Sequence, residues 1–344
     1  MKIAFAIPGD RHRRTGGFIY ESTLLDTLRT LGHKVEHLRL PASFPDPDPD
    51  DIRETLRYLQ AVPPNVPLML DGFIPGCAGP DVLAQVQAPI IPIIHHPLGL
   101  ETGLPADRAA QLLRSERAAL AHAAHIIVPS PHTARILVHS FDVPADKVTI
   151  AEPGFETQTA PRTPVSPPLI LAVGLLVERK GHDTLLDALA RITDLDWQAR
   201  IVGGPAHGPV AAALERQREA LCLIDRVTLT GPLDDGAVAA AFTQATIFAL
   251  ASRYEGYGIV FGEAMQRGLP IVACQTGAVP DTVDNAGDLV APDDPDAFAA
   301  ALRRLLSDAD HYGTMAERSA ERGRTLPTWA ETATIVADAI QKVS

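Results

Sequence analysis

The sequence predicts an α/β protein built of two doubly wound domains, each a parallel sheet with helices on both faces. Three observations predict it: apolar runs of strand length alternate with helical patterns along the whole chain, several of those runs lack the polar alternation of a half-exposed strand, and a proline-rich break falls near the middle. The 344 residues suit two domains of about 150 residues better than one core. Apolar residues make up 46% and charged residues 21%, which excludes a coiled coil, a collagen or a disordered acidic tail.

In the first half the strand-like runs are Lys2–Pro8, Lys34–Leu40, Pro67–Asp71, Pro89–His95, His125–Ser130 and Lys147–Pro153. Helical patterns at Gly17–Leu31, Asp107–Ala124 and Pro131–Phe141 separate them, as βαβ units require. The stretch Phe44 to Asp51, FPDPDPDD, alternates proline with aspartate and reads as an extended surface loop, so its Asp-x-Asp spacing is discounted as a metal site. Residues 157–168, TQTAPRTPVSPP, can continue neither a helix nor a central strand. They divide the chain into a first domain, 1–157, a linker, 158–168, and a second domain, 169–327.

The second half repeats the alternation, with strands at Leu169–Leu176, Trp197–Val202, Arg226–Thr230, Thr246–Ala251, Pro270–Cys274 and Asp288–Val290. Helices open from Gly181, Pro209, Asp234, Gly258 and Pro295. A last helix, Thr328 to Lys342 within residues 328–344, follows Gly323 and Pro327 and is expected to pack back onto the first half.

The formal charge is −12, divided as −4 up to residue 157 and −8 beyond it, so neither half is a basic module and nucleic acid is not an expected partner. Cys77, Cys222 and Cys274 form no CxxC pair, which argues against a disulfide framework or a structural zinc and for a reducing, cytoplasmic setting. The apolar start, Ile3 to Pro8, is too short for a signal-peptide core, and the longest apolar stretch, Pro167 to Val177, is too short to span a bilayer. The helical segment from Asp107 carries Arg108, Arg114 and Arg117, which leaves peripheral contact with the inner membrane face open.

Doubly wound sheets bind ligands at the carboxyl ends of their strands. There stand Gly16 and Gly17, His95 and His96, Gly174, Gly203 and Gly204, Gly231, and Glu255, positions that share a cleft if the domains oppose each other. The densest signal is SRYEGYGIVFGEAMQRGLPIVA, Ser252 to Ala273. Its helix opens near Gly258, where the amides of Gly258, Ile259 and Val260 can hold a phosphate, and its glycines let backbone approach a ligand. Glu255, in the loop, can accept bonds from sugar hydroxyls, and Glu263, eight positions on, can grip a ribose diol. Composition alone would make the first a cap and the second a solvated surface residue.

Arg179 and Lys180 follow a buried strand, and lysine is scarce, at Lys2, Lys34, Lys147, Lys180 and Lys342. Two cations there can neutralise a departing diphosphate, against the plain reading of a solvated helix start. Gly16 and Gly17 open a helix whose amides can meet a phosphate or an acceptor. For the run Arg11 to Arg14, two readings stay open: a solvated loop, or a contact from Arg13 and Arg14 to an anionic acceptor or lipid head group. A metal between His95 and His96 is not expected, because neighbouring strand residues face opposite sides. His122 and His125 lack a third ligand, and the GxGxxG fingerprint of oxidoreductases is absent.

The segment around Glu255 and Glu263 resembles the Glu-x7-Glu motif of retaining GT-B glycosyltransferases, the family 4-like group that includes sucrose-phosphate synthase and phosphatidylinositol mannosyltransferase. TGGFIYESTLLDTLRTLGHKV resembles the group's N-terminal Gly-Gly loop and helix, VGLLVERKGHDTLLDALARI its donor-phosphate loop, and TGAVPDTVDNAGDLVAPDDPDAFAAAL its C-terminal half. The resemblance implies the GT-B fold, two Rossmann-like domains facing across a cleft, with acceptor on the first and donor on the second. It implies that Glu255 contacts donor-sugar hydroxyls, Glu263 the ribose, and His95 the donor sugar.

Catalysis is thus expected from His95, Glu255, Arg179 and Lys180. Donor binding is expected from Gly17, Gly204, Gly231, Tyr257, Gly258, Ile259, Val260 and Glu263, and acceptor contacts from Gly16, Arg13 and Arg14. One departure is Leu175, where the group has arginine after the glycine corresponding to Gly174; Arg179 is read as its substitute. The expected function is retaining, metal-independent transfer of a sugar from a nucleotide diphosphate sugar, UDP before GDP, to a hydroxyl of a lipid, glycan or small metabolite, without a cofactor. A catalytically degenerate nucleotide-sugar-binding protein and a nucleotide-sugar epimerase of the same fold remain as alternatives.

Overall fold

The computed structural model describes residues 1–156 and 161–343. The first four residues of the proline-rich stretch, 157–160, lie outside the described residues, and with them the start of the expected linker. The chain divides into two compact units, Met1–Gly154 with Pro327–Ser344, and Phe155–Leu326.

The first unit runs β1 (Lys2–Pro8), α1 (Gly16–Thr30), β2 (Lys34–Leu40), α2 (Pro49–Gln60), β3 (Leu68–Asp71), α3 (Phe73–Ala78), α4 (Pro80–Leu83), β4 (Ile90–Ile93), α5 (Ala106–Leu120), β5 (Ile126–Val128), α6 (Pro131–Ser140) and β6 (Val148–Ile150). The second runs β7 (Leu169–Val173), α7 (His182–Ala190), β8 (Gln198–Val202), α8 (Pro209–Ala220), β9 (Val227–Gly231), α9 (Asp235–Gln244), β10 (Ile247–Leu250), α10 (Ile259–Met265), β11 (Ile271–Cys274), α11 (Val279–Val283), β12 (Gly287–Val290), α12 (Pro295–Ser307) and α13 (Ala309–Thr325). Helix α14 (Trp329–Gln341) returns to the first unit, where Trp329 lies 5.6 Å from the Tyr20 ring of α1.

Each unit holds one six-stranded sheet, ordered β2-β1-β3-β4-β5-β6 in the first and β12-β11-β10-β7-β8-β9 in the second. Every strand pairing is parallel. Both faces of each sheet are covered, which is why strands such as β1, β4, β10 and β11 read as unbroken apolar runs, whereas the edge strand β2, KVEHLRL, alternates. In β1, Ile3, Phe5 and Ile7 pack against Leu24 and Leu28 of α1 and Val336 and Ile340 of α14, while Ala4 and Ala6 face Leu59 of α2 and Ile74 of α3. In β10, Ile247 and Ala249 serve one core layer and Phe248 and Leu250 the other. The side-chain period of two thus feeds two cores at once.

The stretch FPDPDPDD is not wholly an extended loop. Pro49 opens α2, and the carboxylate of Asp48 accepts from the amides of Asp50 and Asp51 at 2.8 and 2.9 Å. Proline at the first helical position loses no bond and aspartate is a preferred cap, so the same residues start a helix as readily as they end one. Helix α13 likewise goes beyond the sequence reading. Residues 161–168 run along the second unit: Arg162 donates to the carbonyls of Gly268 and Ala245, and the amides of Thr163 and Val165 donate to the carbonyls of Thr243 and Gln244.

Candidate functional site

In both sheets the strand order reverses direction at one place, between β1 and β3 in the first unit and between β7 and β10 in the second. Loops leaving two such strands diverge and open a crevice at their carboxyl ends. In the second unit those loops carry Arg179 and Lys180 after β7 and Glu255 after β10.

The three side chains meet. Lys180 Nζ donates to Glu255 Oε1 at 2.6 Å, Ser252 Oγ donates to the same oxygen at 2.6 Å, and Arg179 Nη1 stands 3.7 Å from Oε2. Glu255 is only 4% exposed. Burial by itself would raise its carboxyl, but Lys180 and then Arg179 outweigh that and hold it below the ordinary carboxylate value. The result is an ionised carboxylate with two cations beside it at the edge of a crevice. Such a group accepts bonds from neutral hydroxyls, while its cations can turn to an anion.

The backbone around this pair is fixed at several points. Arg253 N–H donates to the Arg179 carbonyl at 2.8 Å, Ala278 N–H to the Glu255 carbonyl at 2.8 Å, and Thr276 Oγ1 to the Arg253 carbonyl at 2.8 Å. The Arg253 side chain crosses from this loop to α7 and the segment before α12, bonding Asp183 at 2.7 Å and Asp293 at 2.7 Å. Gly181, at φ +61°, lies so close to β10 that a Cβ would collide with the Ala251 carbonyl, and a Cβ on Gly277, at φ +53°, would collide with that of Glu255. Only glycine allows both approaches. His182 is buried beneath the loop after β7 and its Nε2 lies 3.1 Å from the Leu175 carbonyl.

The other expected donor contacts are spread around this pair. Gly258 caps α10 at φ +86°, so Ile259 and Val260 stand in its first turn, where amides lack intrahelical partners. Glu263, on α10, is part-buried, and burial pushes its carboxyl up to about 7 against the pull of Arg267. The Tyr257 ring is buried, 6.4 Å from Phe155, and its carbonyl accepts from Thr282 Oγ1 at 2.8 Å. Gly204 follows β8, its carbonyl accepting from Leu176 N–H at 2.7 Å, and Gly231 ends β9 at φ +68°.

In the first unit, the loop after β1 brings Gly16 and Gly17 to the start of α1, and a Cβ on Gly17 would stand 3.1 Å from His95 Cδ2. His95, just past β4, has its side chain 26% exposed and its Nε2 3.2 Å from Glu21 Oε1. Burial lowers the ring to about 4, with Asp71 pulling it up. The basic run divides: Arg11 bonds Ser22 and Asp26, the latter at 2.9 Å, Arg13 lies 5.2 Å over the Phe18 ring, and Arg14 is exposed. Arg11 and Arg13 are therefore partly spent on holding their own loop.

Sequence reasoning missed Ser252, Arg253, His182, Glu21 and Asp71. Glu21 had a signal, since its neighbours Tyr20, Leu24 and Leu25 define the apolar side of α1. Among the described residues, no group of three or more His, Cys, Asp or Glu side chains is gathered as a metal site requires, and no helix is long and apolar enough to cross a membrane.

Paired doubly wound units with these switch-point loops define the GT-B class. Residues 39–159 match the family described as Glycosyltransferase Family 4, and residues 156–324 match Glycosyl transferases group 1. The chain belongs with the GT-B glycosyltransferases, as a family 4-like domain followed by a group 1 domain. It is 30% identical over 219 residues to a D-inositol 3-phosphate glycosyltransferase of Corynebacterium glutamicum, covering 57% of this chain and 52% of that protein. To a GDP-mannose-dependent alpha-(1-6)-phosphatidylinositol monomannoside mannosyltransferase of Mycobacterium tuberculosis it is 32% identical over 181 residues, 50% of this chain and 46% of the other. The chain spans about half the length of the curated relatives it matches. Among solved structures, sucrose-phosphate synthase from Thermosynechococcus elongatus superposes with a TM-score of 0.85 at 22% identity, covering 99% of this chain and 98% of that one. HepE of Anabaena, solved with UDP-glucose, gives 0.78 at 17% identity, covering 99% and 100%.

Proposed function

We propose that this protein transfers a sugar from a nucleoside diphosphate sugar to a hydroxyl acceptor, with retention of configuration and without a metal. The observation that carries the reading is the Lys180–Glu255–Arg179 arrangement at the switch point of the second sheet. A buried carboxylate ionised by two cations suits a ligand that is polyhydroxylated at one end and a diphosphate at the other.

In this reading Glu255 accepts from the donor-sugar hydroxyls, Arg179 and Lys180 face the diphosphate, and the first-turn amides of Ile259 and Val260 add to that field. Glu263 takes the ribose and His95 meets the donor sugar. The bond from the anomeric carbon to the β-phosphate oxygen breaks as the acceptor oxygen bonds that carbon from the same face, and the acceptor proton passes to the departing phosphate oxygen. The cations stabilise the charge that develops on the diphosphate. UDP-sugars are placed ahead of GDP-sugars as donors, although the mycobacterial relative is named for GDP-mannose. The acceptor is a lipid, glycan or small-metabolite hydroxyl.

The test is product analysis: the full chain, EDTA, a panel of UDP- and GDP-sugars, and acceptors from inositol phosphates to lipid vesicles, with the anomeric configuration of the product read by NMR. An α-linked product from an α-linked donor, undiminished by chelator, is expected. An inverted product or a requirement for metal would overturn the mechanism. Transfer by Glu255→Ala or Lys180→Ala within a few-fold of the parent would overturn the assigned roles. One observation favours a second reading: the group carries arginine directly after the glycine corresponding to Gly174, and here that position is Leu175, which leaves the loop after β7 with Arg179 and Lys180 as its cations. A chain that binds donors yet transfers nothing would be a degenerate nucleotide-sugar sensor.

A further inference from the structure

At the switch point of the first sheet, three titratable side chains meet that the transfer reading uses only in part. Glu21, in the second turn of α1, is 0% exposed; its Oε1 stands 3.2 Å from His95 Nε2, and its carboxyl is within hydrogen-bonding reach of that of Asp71. Asp71 closes β3 at 4% exposure, with Oδ1 accepting from the Phe73 amide at 2.7 Å, and its carboxyl acts directly on that of Glu21. The register pairs Asp71 with Ile93, two residues before His95. Among the described residues, no lysine or arginine pairs with Glu21 or Asp71.

A buried glutamate at such a place is costly unless it has a task. The surrounding packing is that of a ring held in one pose. The Tyr20 ring meets His95 edge-on at 5.2 Å, while its hydroxyl is tied to the Ala151 carbonyl at 2.9 Å. Gly17 leaves space against the Cδ2 edge, and Thr133 Oγ1 donates to the His95 carbonyl at 3.4 Å.

We propose that Glu21 is a positioning residue that holds His95 as the neutral Nε2–H tautomer, with Nε2–H donating to Glu21 and Nδ1 left as a hydrogen-bond acceptor for a substrate hydroxyl. This rests on the reading of His95 as a substrate contact. The tautomer of an imidazole is set by the bond its other nitrogen makes, and here that bond goes to a carboxyl. The carboxyls of Glu21 and Asp71, facing each other from α1 and β3 with Tyr20 as the other titratable neighbour, cannot both ionise in an apolar pocket. Burial pushes Glu21 up to about 8 and Asp71 well above its ordinary value. The pair therefore keeps a proton of its own near neutral pH; with that proton held between the Glu21 and Asp71 carboxyls, Oε1 of Glu21 is left as an acceptor and His95 stays uncharged.

The experiment is nitrogen NMR of the His95 ring in the full chain, assigned by its loss in His95→Ala, together with kcat and KM for donor in Glu21→Gln and Glu21→Leu. The proposal expects an Nε2–H tautomer that does not titrate between about pH 5.5 and 8, kept in Glu21→Gln, whose amide oxygen still accepts, and lost in Glu21→Leu. It expects kcat to fall at least about tenfold in Glu21→Leu with donor KM within about twofold, and to be largely restored in Glu21→Gln. An Nδ1–H tautomer, a ring titrating as free imidazole does, or an unchanged tautomer in Glu21→Leu overturns it. Full activity of His95→Ala would overturn the contact role of His95 while leaving the ring's tautomer, and hence the action of Glu21 on it, to be decided by the spectra.

Discussion

One oxygen of Glu255 accepts from both Lys180 and Ser252, so its two partners bear unequal loads. Removing Lys180 leaves a buried carboxylate with the Ser252 hydroxyl and, as its remaining cation, Arg179 at 3.7 Å. Lys180→Ala is expected to cost about 3 kcal/mol of stability in urea unfolding, and Ser252→Ala about 1 kcal/mol. Glu21 gives the opposite pH dependence. Its folded carboxyl is raised from 4.5 to about 8, so its contribution is fully present below pH 4.5 and is lost as pH rises through about 8. Glu21→Gln should therefore flatten the fall in stability across that window, most visibly when unfolding at pH 5 and pH 8 is compared with the parent chain; an unchanged difference between the two pH values would refute the raised carboxyl. Lys180 and Glu255 were legible because a rare lysine and a glycine-flanked glutamate each fell at a strand end. Glu21 showed only its place on the apolar side of α1, and Asp71 showed nothing that separates a buried carboxyl from a solvated one; their meeting with His95 became visible only once the sheet order brought α1, β3 and β4 together.

At the scale of elements, the strands were the most legible feature because burial on both faces removes polar residues from the central ones, as Ile3 to Ile7 and Ile247 to Leu250 show. The helices were less so. In α2 the proline and aspartates that start the helix resemble those of a loop, and the difference lies in Asp48 bonding two amides. Asp48→Ala is expected to cost about 1 kcal/mol, measured by denaturant unfolding, with no effect on donor affinity because Asp48 caps α2 and carries none of the donor contacts assigned above. Gly181→Ala should behave otherwise. It forces a left-handed φ on a residue with a Cβ and drives that atom into the Ala251 carbonyl just past β10, so a loss of at least about 1 to 2 kcal/mol should accompany weakened donor binding. Normal stability in that variant would show that the close approach of the two loops is not required.

Over the whole molecule, the two sheets repeat one device: a reversal of strand order with charged side chains gathered at the loops beside it. The doubly wound architecture was legible from alternation alone. The strand orders were not, because no local signal says which strands become neighbours, and with them the partners of His95 stayed hidden. In the proposed function, the crevice holding Lys180 and Glu255 binds a nucleoside diphosphate sugar. Thermal unfolding of the full chain, titrated with UDP-glucose, UDP-glucuronate, UDP-N-acetylglucosamine and GDP-mannose in the presence of EDTA, tests it most directly. One donor at about 100 times its Kd should stabilise the fold by about 2.7 kcal/mol, a rise in Tm of roughly 5 to 10 °C that Lys180→Ala abolishes. A Tm that no nucleotide sugar moves, or a rise that survives in Lys180→Ala, would contradict it.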